Sequence, residues 1–391
     1  MVKHSNASFW NDPKKRAIFF QALLLLAVGA FATLLIINTQ SNLAKQNIAS
    51  GFGFLTQEAG FEISESMIDY WADDTYKLAL WVGILNTLKV ALIGNVLAII
   101  LGVFLGIMRL SSHWLLSKLS QVFIEVMRNT PLLLQLFFWY AILTEIFPSV
   151  KEAYEPLPNV FLSQRGLVFP VFAEHIAWPW VKASFFIGIA GCLGLHFWNK
   201  RRKMRTGIAY KLGPIMGGVF VLIPLVTWLL LGAPTVVDWP ELGGFNFNGG
   251  MTITPEFVAL VLGLVLYTAA FNAEIVRAGI QSVSKGQWEA ARSLGLSQPQ
   301  ALRFVILPQS LRVIIPPMTS QILNLIKNSS LAVGIGYPDF VSVANTTMNQ
   351  TGQAIEAVVL IMLVYLFFSL STSLFMNFYN KKTQLITRGA N

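Results

Sequence analysis

The sequence predicts an all-α integral membrane protein of about eight transmembrane helices, and three observations carry that expectation. Of 391 residues, 54% are hydrophobic and only 12% charged, with a mean hydropathy of +0.60. That balance suits a polytopic membrane protein and not a soluble domain built on one core. The apolar residues gather into runs of roughly twenty, the length a helix needs to cross about 30 Å of hydrocarbon. The loops between the runs alternate in charge, so the formal +9 reads as topology and not as a nucleic-acid surface.

Residues 17–37 form the first run, preceded by Lys14, Lys15 and Arg16. Its apolar core is too long for a secretory signal, and the flank NTQSNLAKQ lacks a small-x-small cleavage site, so an anchor helix is expected. Residues 38–80 carry Glu58, Glu62, Glu65, Asp69, Asp73 and Asp74 against Lys45 and Lys77. This acidic loop is expected outside.

Further spans are expected at 82–108, 119–146, 181–198, 212–232, 257–278, 311–333 and 356–379. Arg109 and Lys118, the run Lys200, Arg201, Arg202, Lys203, Arg205 and Lys211, then Arg277, Lys285, Arg292, Arg303 and Arg312, and finally Lys381, Lys382 and Arg388 fall on one side together with the N-terminus. The opposite loops 233–254 and 334–355 hold no Lys or Arg. By the positive-inside rule the basic side is cytoplasmic, and both termini lie there. The run at 181–198 is the shortest, with Lys182 at its mouth and Trp178, Trp180 and Trp198 flanking it as interfacial aromatics. A re-entrant pair with the next run would leave the parity downstream unchanged. The expected organisation is an anchor and acidic loop over 1–80, a first core segment over 81–146, an insertion with two further spans over 147–250, and the rest of the core over 251–391 with a polar loop at about 282–310.

That polar loop, SKGQWEAARSLGLSQPQALRFVILPQS from Ser284 to Ser310, has the punctuation of two short helices and a hinge. Residues 287–294 suit a first helix, Gly295 permits the positive φ that ends it, and Pro299 suits the first turn of a second. Glu289, Ala290, Ala291, then Gly295, then Leu307 and Pro308 closely resemble the cytoplasmic EAA loop of permease subunits in ABC importers, with Val305 standing where that pattern has Ile. Such a knob suits coupling to a motor. Small side chains allow close approach, Glu289 offers charge-assisted hydrogen bonds, Gly295 sets the turn, and Pro308 fixes the join to the membrane helix. An ordinary amphipathic surface helix is the plainer reading.

A second block, EVMRNTPLLLQLFFWY from Glu125 to Tyr140, puts a proline inside a span, where Asn129 and Thr130 can satisfy the freed backbone groups. It resembles the R-x-TP-LLxQLF signature of polar amino-acid permeases. YTAAFNAEIVRAGIQSVSKGQ (267–287) and KNSSLAVGIGYPDF (327–340) agree with that family. Arg128, Gln135, Glu274, Asn324 and Lys327 are the candidates to line a path for a zwitterionic substrate, with Lys89 and Glu145 as further intramembrane charges. Snorkelling to the headgroups, or simple ion pairing, explains the charged ones equally well. Gly94, Gly102 and Gly106 fit close helix packing.

The single cysteine, Cys192, excludes an internal disulfide, and His4, His113, His175 and His196 show no metal-ligand or haem-pair spacing. No G-x-x-x-x-G-K-[ST] segment occurs. A chain built for coupling to ATP without a P-loop must borrow its ATPase. The resemblance therefore implies a type I importer permease core in the bacterial inner membrane that does no covalent chemistry and holds no cofactor. ATP and Mg would be bound by two partner ATP-binding subunits, beside a second homologous permease and a periplasmic amino-acid-binding protein. The extra first helix and the 147–250 insertion exceed the usual short permease and are similar to general L-amino-acid importers and their glutamate/glutamine/aspartate/asparagine relatives. An ion-coupled secondary transporter would show inverted repeats, which are not evident. A scaffold or redox subunit leaves the EAA spacing unexplained.

Overall fold

The computed structural model describes residues 13–45, 50–208, 210 and 212–385; His4, Lys211 and Arg388 lie outside them. Among the described residues seven helices are long and apolar enough to cross a membrane. They are α1 (Pro13–Lys45), α2 (Tyr76–Arg109), α5 (Ala177–Thr206), α6 (Gly213–Leu230), α7 (Pro255–Gln281), a continuous helical stretch Gln298–Ile335, and α12 (Ala354–Leu385).

The span expected at 119–146 is found in a different form, as α3 (Trp114–Asn129) and α4 (Leu132–Ala141) with a break between them. The break is local chemistry. A residue before proline is pushed out of the helical region, and Thr130 stands at φ −96°, ψ 128° ahead of Pro131. Side chains add donors at the end of α3: Asn129 Nδ2 donates to the Glu125 carbonyl and Thr130 Oγ1 to that of Val126, each at 2.8 Å. Residues 132–146 remain a shorter apolar helix.

The chain divides into two compact units, Met1–Trp139 with Ala259–Asn391, and Tyr140–Val258. In the first, α2 is the central post. Its small residues let neighbours approach: a Cβ on Gly83 would stand 2.9 Å from the Phe340 Cα in α11 (Phe340–Thr351), and Gly94 lies under Leu325 of α10 (Leu307–Asn328). Leu105 meets Ile124 of α3 and Ala269, Ala270 and Ala273 of α7 in one cluster. Lipid is as apolar as leucine, so close van der Waals contact, not burial from water, holds such helices together. The same reasoning explains the many exposed leucines and phenylalanines of α1 and α12. Residues 50–75 fold back over α2 and α11, with Phe54, Ala59, Tyr76, Leu80 and Phe340 in a second cluster.

The second unit contains the insertion. Here α5 and α6 run as a hairpin, with Phe185 edge-on to Phe220 at 4.8 Å. Short strands, which the sequence did not suggest, tie the two flanking segments together. β1 (Tyr154–Leu157), β2 (Val160–Ser163) and β3 (Gly166–Phe169) form an antiparallel meander that β8 (Met251–Ile253) completes, Leu167 opposite Ile253. β4 (Val171–Phe172) pairs with β5 (Val237–Asp238), and β6 (Glu241–Gly243) with β7 (Asn246–Asn248). Strands before α5 thus pair with strands after α6, so the hairpin leaves and returns to one side. At about 1.5 Å per residue, the 30 residues of α5 exceed a bilayer's need and the 18 of α6 nearly meet it.

Candidate coupling loop and polar sites

The loop between α7 and α10 is a compact two-helix knob. α8 (Lys285–Ser293) ends in a Schellman motif: Leu296 N–H donates to the Ala291 carbonyl at 3.2 Å and Gly295 N–H to that of Arg292 at 2.9 Å. Gly295 holds φ +75°. α9 (Gln298–Ala301) opens with a capping box between Ser297 and Gln300, with Pro299 in its first turn. Gln309 Nε2 donates to Gln287 Oε1 at 3.0 Å, clasping α8 to α10.

The motif residues divide between two faces. Glu289 and Ala290 are exposed, whereas Ala291 is 2% exposed and serves the knob's own packing. It does not offer the outer contact expected of it, because the Schellman turn rolls its side inward. Leu294 and Phe304, at 79% and 62% exposed, supply the outward apolar surface instead. Pro308 is exposed too and stands in the first turn of α10, where the join to the membrane helix was expected. Helix runs through it without interruption from Gln298 to Ile335. A proline lacks the N–H that would bond four residues back, and the helix answers by widening to a π turn over Leu302–Ile306, where Leu307 N–H reaches the Leu302 carbonyl. A cavity of about 650 Å³ separates the knob from the turn after α2, lined by Leu110, Ser111, Ser112, Lys285, Trp288 and Gln298. Nothing in the sequence had paired that turn with the loop.

The proposed path residues are not gathered into one pocket. Arg128, at the end of α3, lies over the Phe271 ring at 5.1 Å. Glu274 pairs with Arg277 through both carboxylate oxygens, and Arg109 and Arg128 are near enough to act on it electrostatically. Gln135 is buried, and its amide donates to the Met127 and Thr130 carbonyls at 2.9 and 3.0 Å. It bridges the α3–α4 break through its amide nitrogen. Asn324 is exposed, and Lys327 lines a mostly apolar cavity of about 820 Å³ with Ser330, Val341 and Tyr365. Glu145 is exposed in the second unit.

Two further polar groups stand out, of which Lys89 was expected as an intramembrane charge and Asp339 was not singled out in the sequence. Asp339 caps α11, accepting from Ser342 N–H at 2.9 Å, and burial pushes its carboxyl up to about 7 against those bonds. Lys89 of α2 is paired with Glu65 of the acidic loop. Among the described residues no group of His, Cys, Asp or Glu could hold a metal ion.

Seven helices long and apolar enough to cross a membrane, with a two-helix knob between two of them, fit a membrane permease subunit. The chain belongs to the family of binding-protein-dependent transport system inner membrane components, whose match covers residues 214–385. It is 48% identical over 378 residues to the permease protein YhdX of Escherichia coli K12, covering 96% of each chain. It is 46% identical over 377 residues to the general L-amino acid transport system permease protein AapQ of Rhizobium johnstonii, covering 96% of this chain and 94% of that one. Over 407 residues it is 38% identical to the glutamate/glutamine/aspartate/asparagine transport system permease protein BztB of Rhodobacter capsulatus, covering 96% of each. The first helix and the insertion are therefore within the matched length, and the chain is a multi-pass protein of the inner membrane.

Proposed function

We propose that this chain is the transmembrane subunit of an ATP-driven importer that moves L-amino acids across the bacterial inner membrane. The observation that carries the reading is near-full-length similarity to amino-acid permease proteins in a chain whose 282–310 loop folds as a docking knob. Glu289 and Ala290 present the coupling surface to a separate ATPase, while Ala291, Gly295, Leu307 and Pro308 shape it. Closure of two ATP-binding subunits, which hold the ATP and Mg, moves the knob and tilts the helices on either side of it. A second homologous permease completes the passage. A loaded periplasmic binding protein docks on the opposite face, on loops that include 334–355, which lacks Lys and Arg, and the knob and both termini face the cytoplasm. The chain itself catalyses no reaction. Within the passage Arg128, Glu274, Asn324 and Lys327 are the charged and polar groups available to a zwitterion.

The test is to purify the chain from its native host membranes, identify what accompanies it by mass spectrometry, and reconstitute the assembly. A P-loop ATPase and a second permease in comparable amounts, with L-amino-acid uptake that requires ATP, are expected. The chain alone, taking up amino acids on an ion gradient and indifferent to ATP, would overturn the reading.

A further inference from the structure

Lys89 lies thirteen residues beyond Tyr76, the first residue of α2, which is about 20 Å along the helix axis. A loop residue reaches it there. Residues 61–65 alternate in burial, with Phe61, Ile63 and Glu65 turned inward and Glu62 and Ser64 exposed. That period of two lays an extended segment along the bundle and delivers Glu65 to Lys89. The base of the segment is anchored firmly: Ala59 N–H donates to the Asp74 carbonyl at 2.7 Å, Gly60 N–H to that of Ala72 at 2.8 Å, and Phe61, Ile63 and Tyr70 pack on the apolar cluster below. The tip is different. Ser64, Ser66 and Met67 are exposed, and Glu65 is held to α2 by polar bonds, its carboxylate on Lys89 and its carbonyl oxygen on Asn86 Nδ2 at 2.7 Å.

Asn86 stands three residues before Lys89, so the two share a face of α2 with their Cβ atoms about 5–6 Å apart. Asn86 is fully buried. Its Nδ2 serves both Glu65 and the Pro338 carbonyl, the latter at 2.9 Å, while its Oδ1 has no hydrogen-bond partner among the described residues. An orphaned acceptor beside a lysine is complementary to a group that carries an ammonium and a carboxylate a few ångströms apart. Lys89 and Glu65 are only 20% and 11% exposed, so the pair can part only where another anion takes the place of the Glu65 carboxylate on Lys89.

We propose that Asn86 and Lys89 form a binding position for a zwitterionic α-amino acid, ammonium on Asn86 Oδ1 and carboxylate on Lys89, and that Glu65 fills the carboxylate half as a tethered stand-in which the substrate displaces. The inference rests on the amino-acid transport reading. It makes the acidic loop a plug that keeps Lys89 covered between substrates.

The experiment uses the assembly purified from native membranes without its binding protein, titrated with L-glutamine and with L-glutamine amide, whose carboxylate is replaced by a neutral amide. Glu65→Gln removes the competitor and should tighten L-glutamine binding about tenfold, since an occupied site lowers apparent affinity by its free fraction. Lys89→Met should abolish binding, and the amide should bind to neither form. The double exchange E65K/K89E keeps an ion pair and should restore assembly yield without restoring binding, which separates folding from recognition. Unchanged affinity in Glu65→Gln, retained affinity in Lys89→Met, or equal binding of the amide would each reduce the pair to a structural clasp. ATP-driven L-glutamine uptake by the native assembly is run alongside. Uptake with unaltered Glu65→Gln binding sinks this inference alone, whereas no ATP-driven uptake sinks the transport reading beneath it.

Discussion

Gly106 of α2 lies directly on the backbone of Ala273 in α7: a Cβ at position 106 would meet the Ala273 carbonyl oxygen at 2.7 Å. Val276 closes the other side at 2.9 Å. Neither a carbonyl in a helix nor a β-branched side chain can swing away, so Gly106→Val must separate the two helices. Overpacking of this kind costs about 1–3 kcal/mol, and a drop in melting temperature and in detergent-extracted yield is expected. Gly94→Ala should be tolerated better, because its nearest neighbour at 3.3 Å is the end of the Leu325 side chain.

Gly295 is the contrasting glycine. Nothing lies within 4 Å of a Cβ built there, so the obstacle to a side chain is its φ of +75°. A left-handed backbone costs an L-residue about 1–2 kcal/mol, most for a β-branched one. Gly295→Val should leave membrane insertion intact and abolish ATP-driven uptake, while Gly295→Asn should keep most of it. Full uptake by the valine variant would show that the knob is a mere connector.

Gln135→Leu tests the α3–α4 break. It strips partners from the carbonyls of Met127 and Thr130, and a buried acceptor left unmade costs about 1–3 kcal/mol. A lower melting temperature is expected with no change in substrate preference. A changed preference would put Gln135 among the path residues.

Asp339 gives the stability a pH dependence. Its carboxyl is raised from 3.8 to about 7 by burial, so the folded chain holds a proton there that the unfolded chain has already released. Stability from this group is complete below pH 3.8 and is lost as pH rises towards and through 7. Asp339→Asn keeps the capping oxygen for Ser342 N–H but cannot titrate. The difference in melting temperature between pH 5 and pH 8 should therefore shrink in the variant; an equal difference in both would exonerate Asp339.

Spans and knob were legible because each rests on local rules. Apolar run length marked α2, α7 and α12, and Gly295 and Pro299 fell where a helix must stop and start. The break before Leu132 was only half legible: Pro131 announced it, but a kink and a full interruption differ by the conformation of Thr130, which depends on what Gln135 can reach. The strands of the insertion escaped notice because each is two to four residues long, and β3 and β4 find their partners β8 and β5 on the far side of two helices. Glu65 read as one of several loop carboxylates for a similar reason. Its neighbour Lys89 is distant in sequence, and only folding reveals that a period-two run delivers one to the other.

The unbroken passage of helix through Pro308 has a mechanical consequence. The 22 residues of α10 make a rod about 33 Å long, entered from the knob through the π turn of Leu302–Ile306 and followed by the 3-10 turn of Ser329–Ile335. A rod converts rotation into displacement in proportion to its length, so tilting the knob by a few degrees swings the far end of α10 by about 2–3 Å where the π turn at its foot stays rigid. Whatever bends must do so midway, where Pro316 and Pro317 interrupt the ladder of backbone bonds.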